Sequence, residues 1–527
     1  MDFLISAVFK HSAVLELEND TICFAEQEYS VSVNGTEVLR SRQNVICIRD
    51  LLPDTEYTIG ISAAGGTTEK KLRTRAETAL LDVRGFGAEG DGTADDTGAL
   101  QAAILSCPEG GTVFFPAGTY LTRPLFQKSG TTLLLAEGAV IMGDPDRKHY
   151  PVLPGILPYP AAEDGSGEYV LASWEGNPES SFASLITAIG IHDLDIEGSG
   201  VIDGNAAAGD WWQEPKLKRT AWRPNTVFLN RCTGVRMAGI TVRNSPAWTI
   251  HPFYSDHIAF YSLEITNPPD SPNTDGIDPE SCRDVLILGT RISVGDDCIA
   301  IKSGKYYMSE KHHRSAEHIA VRNSILEKGH GAVTIGSEAA GGAADVEVSR
   351  CIFDGTDRGL RIKTRRGRGP EALYDRICFH NLSMRSVAMP FTVNMFYFCD
   401  PDGHSAYVQD QKPHPVDQRT PRIGSIRASD IVIEGADACI LTAYGLPEMY
   451  IESIELAHIR ASFLTASGRK KRQTIMMDDF PELSGKSFYA RNVKRLSLLD
   501  VAVAGSDDTH PALIDVTEYD SKNVIYT

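Results

Sequence analysis

Four short segments carry side chains able to do acid–base chemistry: Asn273-Thr274-Asp275-Gly276, Gly295-Asp296-Asp297-Cys298, Gly329-His330-Gly331 and Arg361-Ile362-Lys363. Brought together, they offer three carboxylates, an imidazole, a guanidinium and an ammonium. Crowded carboxylates disfavour each other's ionisation, so one of them can stay protonated as an acid while another serves as a base. Arg361 and Lys363, on alternate positions of a strand, share one face and could grip an anionic group, the guanidinium bidentately and the ammonium as a point charge. Taken singly, each segment is ordinary: a turn, a solvated corner, a loop histidine, a charged strand face. Their order and spacing make them a set. Intervals of 21, 33 and 31 residues separate Asp275 from Asp296, Asp297 from His330 and His330 from Arg361.

Those intervals match the period of the surrounding chain. From about residue 80 onward, short β-branched runs ending in a polar turn recur every 20 to 33 residues, among them GITVRNSP, SLEITNPP, TRISVGDD, RCIFDGTDRG and HNLSMRSVA. A unit this short cannot bury its own apolar face, so neighbouring units must stack and share one core. Parallel stacking through right-handed crossovers predicts an all-β, right-handed parallel β-helix. A β-propeller is the structural alternative, and it would require hairpin signals that are weak here. Residues one coil apart lie about 4.8 Å from each other on one face, which would bring the four segments into a single stripe. One amphipathic helix is predicted near 96–106, capped by Asp95, Asp96 or Thr97 and covering the open end of the solenoid. Adjacent Asp296 and Asp297 would point to opposite faces of a regular strand, so the chain must bend there, as Gly295 permits.

Residues 1–77 read differently. Short alternating runs such as YSVSVNG and YTIGISA, separated by Asn34-Gly35 and Gly65-Gly66, predict a small β-sandwich. Leu52-Pro53-Asp54-Thr55-Glu56-Tyr57 resembles the tyrosine corner of fibronectin type III domains. The polar stretch Thr74–Thr78 marks the boundary, which leaves 78–527 as the solenoid and 1–77 as a separable domain.

The four motifs resemble those of glycoside hydrolase family 28, the polygalacturonases, whose pattern is N-T-D, D-D, G-H-G and R-I-K. The resemblance spans roughly residues 80–460 and includes GDGTADDTGALQAAI and FPAGTY. It implies a pectin-lyase-like solenoid that hydrolyses α-1,4-galacturonide bonds with inversion and without metal or other cofactor. By position, Asp296 matches the general acid, while Asp275 and Asp297 match the pair that activates water. His330 matches the residue tuning the acid. Arg361 and Lys363 match the substrate-carboxylate ligands, with Asn273, Lys302 and Tyr397 as further substrate-binding candidates. GDDCIAIKSG and the N-terminal domain are similar to bacterial exo-acting members. The insertions 144–182 and 399–423 could wall off one end of a groove.

Composition bounds the partners. The formal net charge of −19 disfavours nucleic acid and anionic membranes, so a polyanionic substrate needs a local cationic patch. Arg361, Lys363, Arg365, Arg366, Arg368, Lys302 and Lys305 could supply one. No apolar run is long enough for a membrane span. The opening residues lack a basic region and cleavage site, which leads to the expectation of a cytoplasmic protein. Ten scattered cysteines without CxxC pairs suggest buried apolar groups rather than a zinc or redox site. Trp211, Trp212, Trp222, Trp248 and His251 could either stack on sugar rings or pack the core. The rival readings are a hydrolase of rhamnogalacturonan or other decorated pectin, a pectate lyase, and a non-catalytic carbohydrate-binding β-helix. The first sits poorly with the cationic pair, the second calls for calcium-binding carboxylates plus an arginine base, so the stripe fits hydrolysis better, and the third has no use for three aspartates and a histidine. Oligomeric state is not readable from sequence.

Overall fold

The computed structural model describes residues 1–162, 164–369 and 371–527. From Leu80 onward the strands of the large sheet pair in parallel, each with its counterpart one coil later, while two short antiparallel pairs, Val152–Leu153 with Ser181–Phe182 and Ile156–Pro158 with Glu168–Val170, lie in the 144–182 insertion. A parallel β-helix results, and the propeller alternative fails because consecutive strands do not form antiparallel blades.

The face that carries the four motifs is one continuous ladder. Strands Ile186–Ile189, Val227–Asn230 and Ile250–Phe253 pair in order. Single bridges then carry the ladder from Ile250 to Ile277 and on to Ile299. Ile299–Ile301, Val333–Gly336, Arg358–Lys363, Met389–Asn394 and Cys439–Tyr444 continue it. Side chains alternate across a strand. In this register Ile250, Ile277, Ile299, Val333, Leu360, Phe391 and Leu441 point inward and are buried, and their stack forms part of the central core. The alternate positions, including Arg361 and Lys363, point outward.

Helix Thr97–Ser106 covers the first coils with Leu100, Ala103 and Ile104. Of the three predicted caps, Asp95 does the work, accepting from the Thr97 amide at 3.1 Å. Asp96 instead receives the Glu89 and Gly90 amides of the preceding loop. All ten cysteines are free, and most of them are buried.

The N-terminal residues form a β domain of two antiparallel sheets. Phe3–Val8, Ala13–Leu17 and Val45–Ile48 make one; Thr36–Gln43, Phe24–Val33, Glu56–Ala63 and Gly66–Arg73 make the other. The Tyr57 hydroxyl accepts the Leu52 amide at 2.8 Å and ties down the corner. This domain is not physically separate from the solenoid, however. Phe9, Val14 and Val45 pack with Ala238, Ala259, Tyr261 and Leu288 of the solenoid flank. Beside them the buried Glu16 receives Arg322 at 3.0 Å, Arg350 at 2.7 Å and Asn323 at 3.0 Å. Cutting at residue 77 would therefore uncover an apolar patch and strip two arginines of their shared acid. Glu16→Ala should cost about 3 kcal/mol, the low end for breaking a buried ion pair, because both arginines keep some exposure. A variant whose melting temperature stays within about 1 °C of wild type would show that the cluster contributes little.

Candidate active site

Asp296 and Asp297 lie in the bend between strands Arg291–Val294 and Ile299–Ile301. Gly295 makes the bend possible, because a Cβ there would stand 2.4 Å from the Ser271 carbonyl. Freed from strand alternation, both aspartates reach the same face as Asp275, and one carboxylate oxygen from each of the three lies within 4.8 Å of the others. Gly331 is needed for a similar reason: a Cβ would press on Asp297 Oδ1 at 2.8 Å.

The three carboxyls occupy unlike environments. Asp297 is almost fully buried, which opposes its ionisation. Lys363 Nζ at 2.9 Å and Arg361 Nη1 at 3.2 Å outweigh that and hold the carboxyl well below the usual range. Asp275 is also buried, and burial together with the negative neighbours Asp278 and Asp296 pushes its pKa well up. Its Oδ1 has no hydrogen-bond partner in the protein. Asp296 is the most open of the three, and His330 Nδ1 lies 3.3 Å from it. That contact raises the imidazole pKa, and both groups stand at the edge of the cluster open to solvent. A clamped, ionised carboxylate beside a more open carboxyl–imidazole pair is an arrangement suited to acid–base cleavage of an acetal.

Among the described residues, these three aspartates are the one group close enough together to hold an ion. Both oxygens of Asp297 already face cations, and Lys302 Nζ lies 3.8 Å from Asp275. The local charge that would attract a metal is therefore largely neutralised by the chain itself.

Several expected ligands turn out otherwise. Lys302 does not reach into a groove: its ammonium is buried among Glu338 at 3.2 Å, Asp278 at 3.4 Å and Asp275. Asn273, in a left-handed conformation, accepts Arg223 Nη2 at 2.6 Å, and the same guanidinium holds the Pro272 carbonyl at 2.9 Å. Asn273 thus shapes the turn that presents Asp275. Arg365 and Arg368 pair with Asp400, and Arg366 pairs with Glu448, so all three are structural rather than part of a basic surface. Tyr397 does join the cluster, with Lys363 Nζ 5.6 Å from its ring centre. Trp211 is core, and Trp212 donates to the Ser245 carbonyl. His251, fully buried, bonds Glu280 at 2.9 Å rather than facing sugar.

Two walls flank the cluster. On the side of the earlier coils, the 144–182 insertion lays Trp174 flat on Trp222, centroids 4.8 Å apart, and alongside Trp248 at 6.5 Å. The Gly176 carbonyl receives the Lys305 amide. Lys305 Nζ reaches Asp400 of the 399–423 insertion at 3.1 Å and Glu175 at 4.0 Å, so one ammonium ties both insertions together. On the side of the later coils, the segment 464–485 places Met476 Sδ 3.1 Å from Arg361 Nη2 and its carbonyl on Asn394. Arg361, Lys363, Tyr397 and Met476 border a small hollow. A larger hollow of about 730 Å³, bordered by Arg147, Tyr150, Phe182 and Arg219, involves none of the catalytic candidates.

Sequence reasoning missed Asp278, Glu338, Arg223, Trp174 and Met476. Asp278 stood three residues past Asp275, and that spacing was the one signal available for any of them.

The family model for "Glycosyl hydrolases family 28" matches residues 165–407, and one for "Rhamnogalacturonase A/epimerase, pectate lyase-like" matches 80–153. A probable polygalacturonase of Vitis vinifera is 32% identical over 358 residues, covering 66% of this chain and 68% of its own length. The chain belongs to glycosyl hydrolases family 28. It is accordingly a glycoside hydrolase. The first curated relatives are matched over 65 to 68% of their own length. The family 28 exopolygalacturonase of Yersinia enterocolitica superposes with a TM-score of 0.66 at 20% identity, over 100% of this chain and 95% of that one, which shows the shared fold. The hyperthermoactive exopolygalacturonase of Thermotoga maritima gives 0.61 at 26% identity, over 73% and 87% of the two chains.

Proposed function

We propose that this family 28 member hydrolyses α-1,4-galacturonide bonds and acts from chain ends, releasing galacturonic acid or a short oligomer. The observation that carries the reading is Asp297, held ionised between Arg361 and Lys363 beside Asp275, Asp296 and His330. In this reading Asp296 protonates the leaving glycosidic oxygen, and Asp275 and Asp297 orient and deprotonate water. Arg361 and Lys363 bind the uronate carboxylate as well as the base. The N-terminal sheets, three strands facing four, are read as a fibronectin type III-like sandwich.

A covalent route is disfavoured by the same contacts. Carboxyl separations of about 6.5–9.5 Å are usual for inverting glycosidases and 5–5.5 Å for retaining ones, and the close approach of the three carboxylates does not by itself favour inversion. Both oxygens of Asp297 are engaged by cations, however, and Asp275 is buried with its proton affinity raised. Neither is poised as a nucleophile, so water attack with inversion is the expected course.

End action is supported by the wall that Trp174, Glu175 and Gly176 build on the earlier-coil side, braced by Lys305 and Asp400. Long polygalacturonate should release small product from the first minutes while the polymer stays long, and the first product observed by proton NMR should carry the inverted anomeric configuration. Rapid collapse of viscosity with mid-length oligomers would rule out end action. Absence of new reducing ends on every pectic substrate would rule out the whole reading.

A further inference from the structure

Behind Asp275 lies a group of ionisable side chains that the acid–base roles leave unused. Asp278 is fully buried, and neither of its carboxylate oxygens accepts a hydrogen bond. Among the described residues its one ion-pair partner is Lys302, at 3.4 Å. The same ammonium serves Glu338 at 3.2 Å and Asp275 at 3.8 Å, and it lies 4.3 Å from the centre of the Trp248 ring. Three buried carboxylates thus share one cation. An unbalanced negative charge away from water is relieved by retaining a proton.

The surroundings locate that proton. Glu338 gains from Lys302, Lys305 and Lys363 despite its burial and stays ionised. Asp297 is paired with Arg361 and Lys363 and still adds repulsion to Asp275 and Asp278. Asp296, on the next coil, adds repulsion to both Asp275 and Asp278. On the preceding coil His251 is occupied by Glu280. Asp275 and Asp278 are left as the pair whose charges are least compensated, and the orphaned oxygens belong to them.

We propose that Asp275 and Asp278 hold a single proton between them in the resting enzyme, and that Asp278, sharing Lys302 with Glu338, is a positioning residue that sets the pH at which Asp275 becomes a base. This rests on the role given to Asp275 above. It assigns work to Asp278, Lys302 and Glu338, which the acid–base roles leave unused.

Asp278→Asn keeps the shape of a protonated carboxyl and removes a negative neighbour. Asp275 should then release its proton in more acid solution, moving the acidic limb of kcat/KM down by about one pH unit or more. Glu338→Gln should move it the same way, because Lys302 is then shared by fewer acids. A second readout needs no substrate. A carboxyl whose folded pKa is raised adds stability that is lost as pH rises from the unfolded value toward the folded one. Wild type should therefore lose melting temperature relative to Asp278→Asn as pH rises through that window. Parallel melting curves, or a lowered rate with an unmoved acidic limb, would overturn the proposal. Diverging melting curves with no pectic substrate cleaved would leave the shared proton standing and sink the catalytic reading instead.

Discussion

Replacing Asp296 with Asn is expected to lower kcat on polygalacturonate by about 10² to 10⁴, the usual worth of a positioned acid, while the fold is retained. Asp296 is partly exposed, and its Oδ1 accepts the Asp297 amide at 3.0 Å, a bond that an amide oxygen preserves. What the variant loses is the proton donor at the cluster's open edge. The neighbouring imidazole offers an independent check. His330 owes its raised pKa first to the hydrogen bond with Asp296, so its NMR titration should shift to lower pH in the variant. A variant retaining more than about a tenth of wild-type kcat would remove Asp296 from the acid role. An unmoved His330 titration would show that the two side chains do not share a proton.

Lys363→Ala is the second large effect, and it should act through two groups at once. The ammonium at 2.9 Å is the first favourable influence on Asp297. Without it burial acts with less opposition, the carboxyl is protonated at higher pH, and the acidic limb of the rate profile moves upward. The substrate's carboxylate also loses a charge-assisted hydrogen bond worth about 1.5–3 kcal/mol, which corresponds to a fall in kcat/KM of about 10- to 150-fold. Methyl esters separate the two contributions. On de-esterified oligomers both losses should appear; on fully esterified ones only the loss through Asp297. Equal damage on both substrates would confine Lys363 to holding the base and deny it a part in carboxylate recognition. Arg361→Ala should give the same pattern with an added loss of packing against Met476.

What could be read from the sequence was whatever repeats or sits close along the chain. The β-branched runs and their spacing follow from the need of each short coil to stack on its neighbours, and that need also brings Asp275, Asp296, Asp297, His330, Arg361 and Lys363 onto one face. The bend at Gly295 was legible because two adjacent aspartates cannot share a strand face without it. The nearness of Lys302 to the aspartates is legible in the sequence and its buried pairing is not: its position on the coil is periodic, but the direction of a long flexible side chain is set by whichever charges it meets, here Asp278 and Glu338. The basic run Arg365, Arg366 and Arg368 misled for the same reason, since the acids that absorb it, Asp400 and Glu448, lie 32 to 82 residues downstream.

By itself, then, the sequence determined the solenoid and which side chains meet in the aspartate cluster, because both depend on a local period that short-range packing enforces. The tertiary structure decided the environment of each carboxyl, the wall formed by Trp174 on Trp222, and the covering of Arg361 by Met476. Those features depend on loops of irregular length meeting across coils. Burial and charge pairing at such meetings are properties of the assembled surface, and no spacing along the chain encodes them.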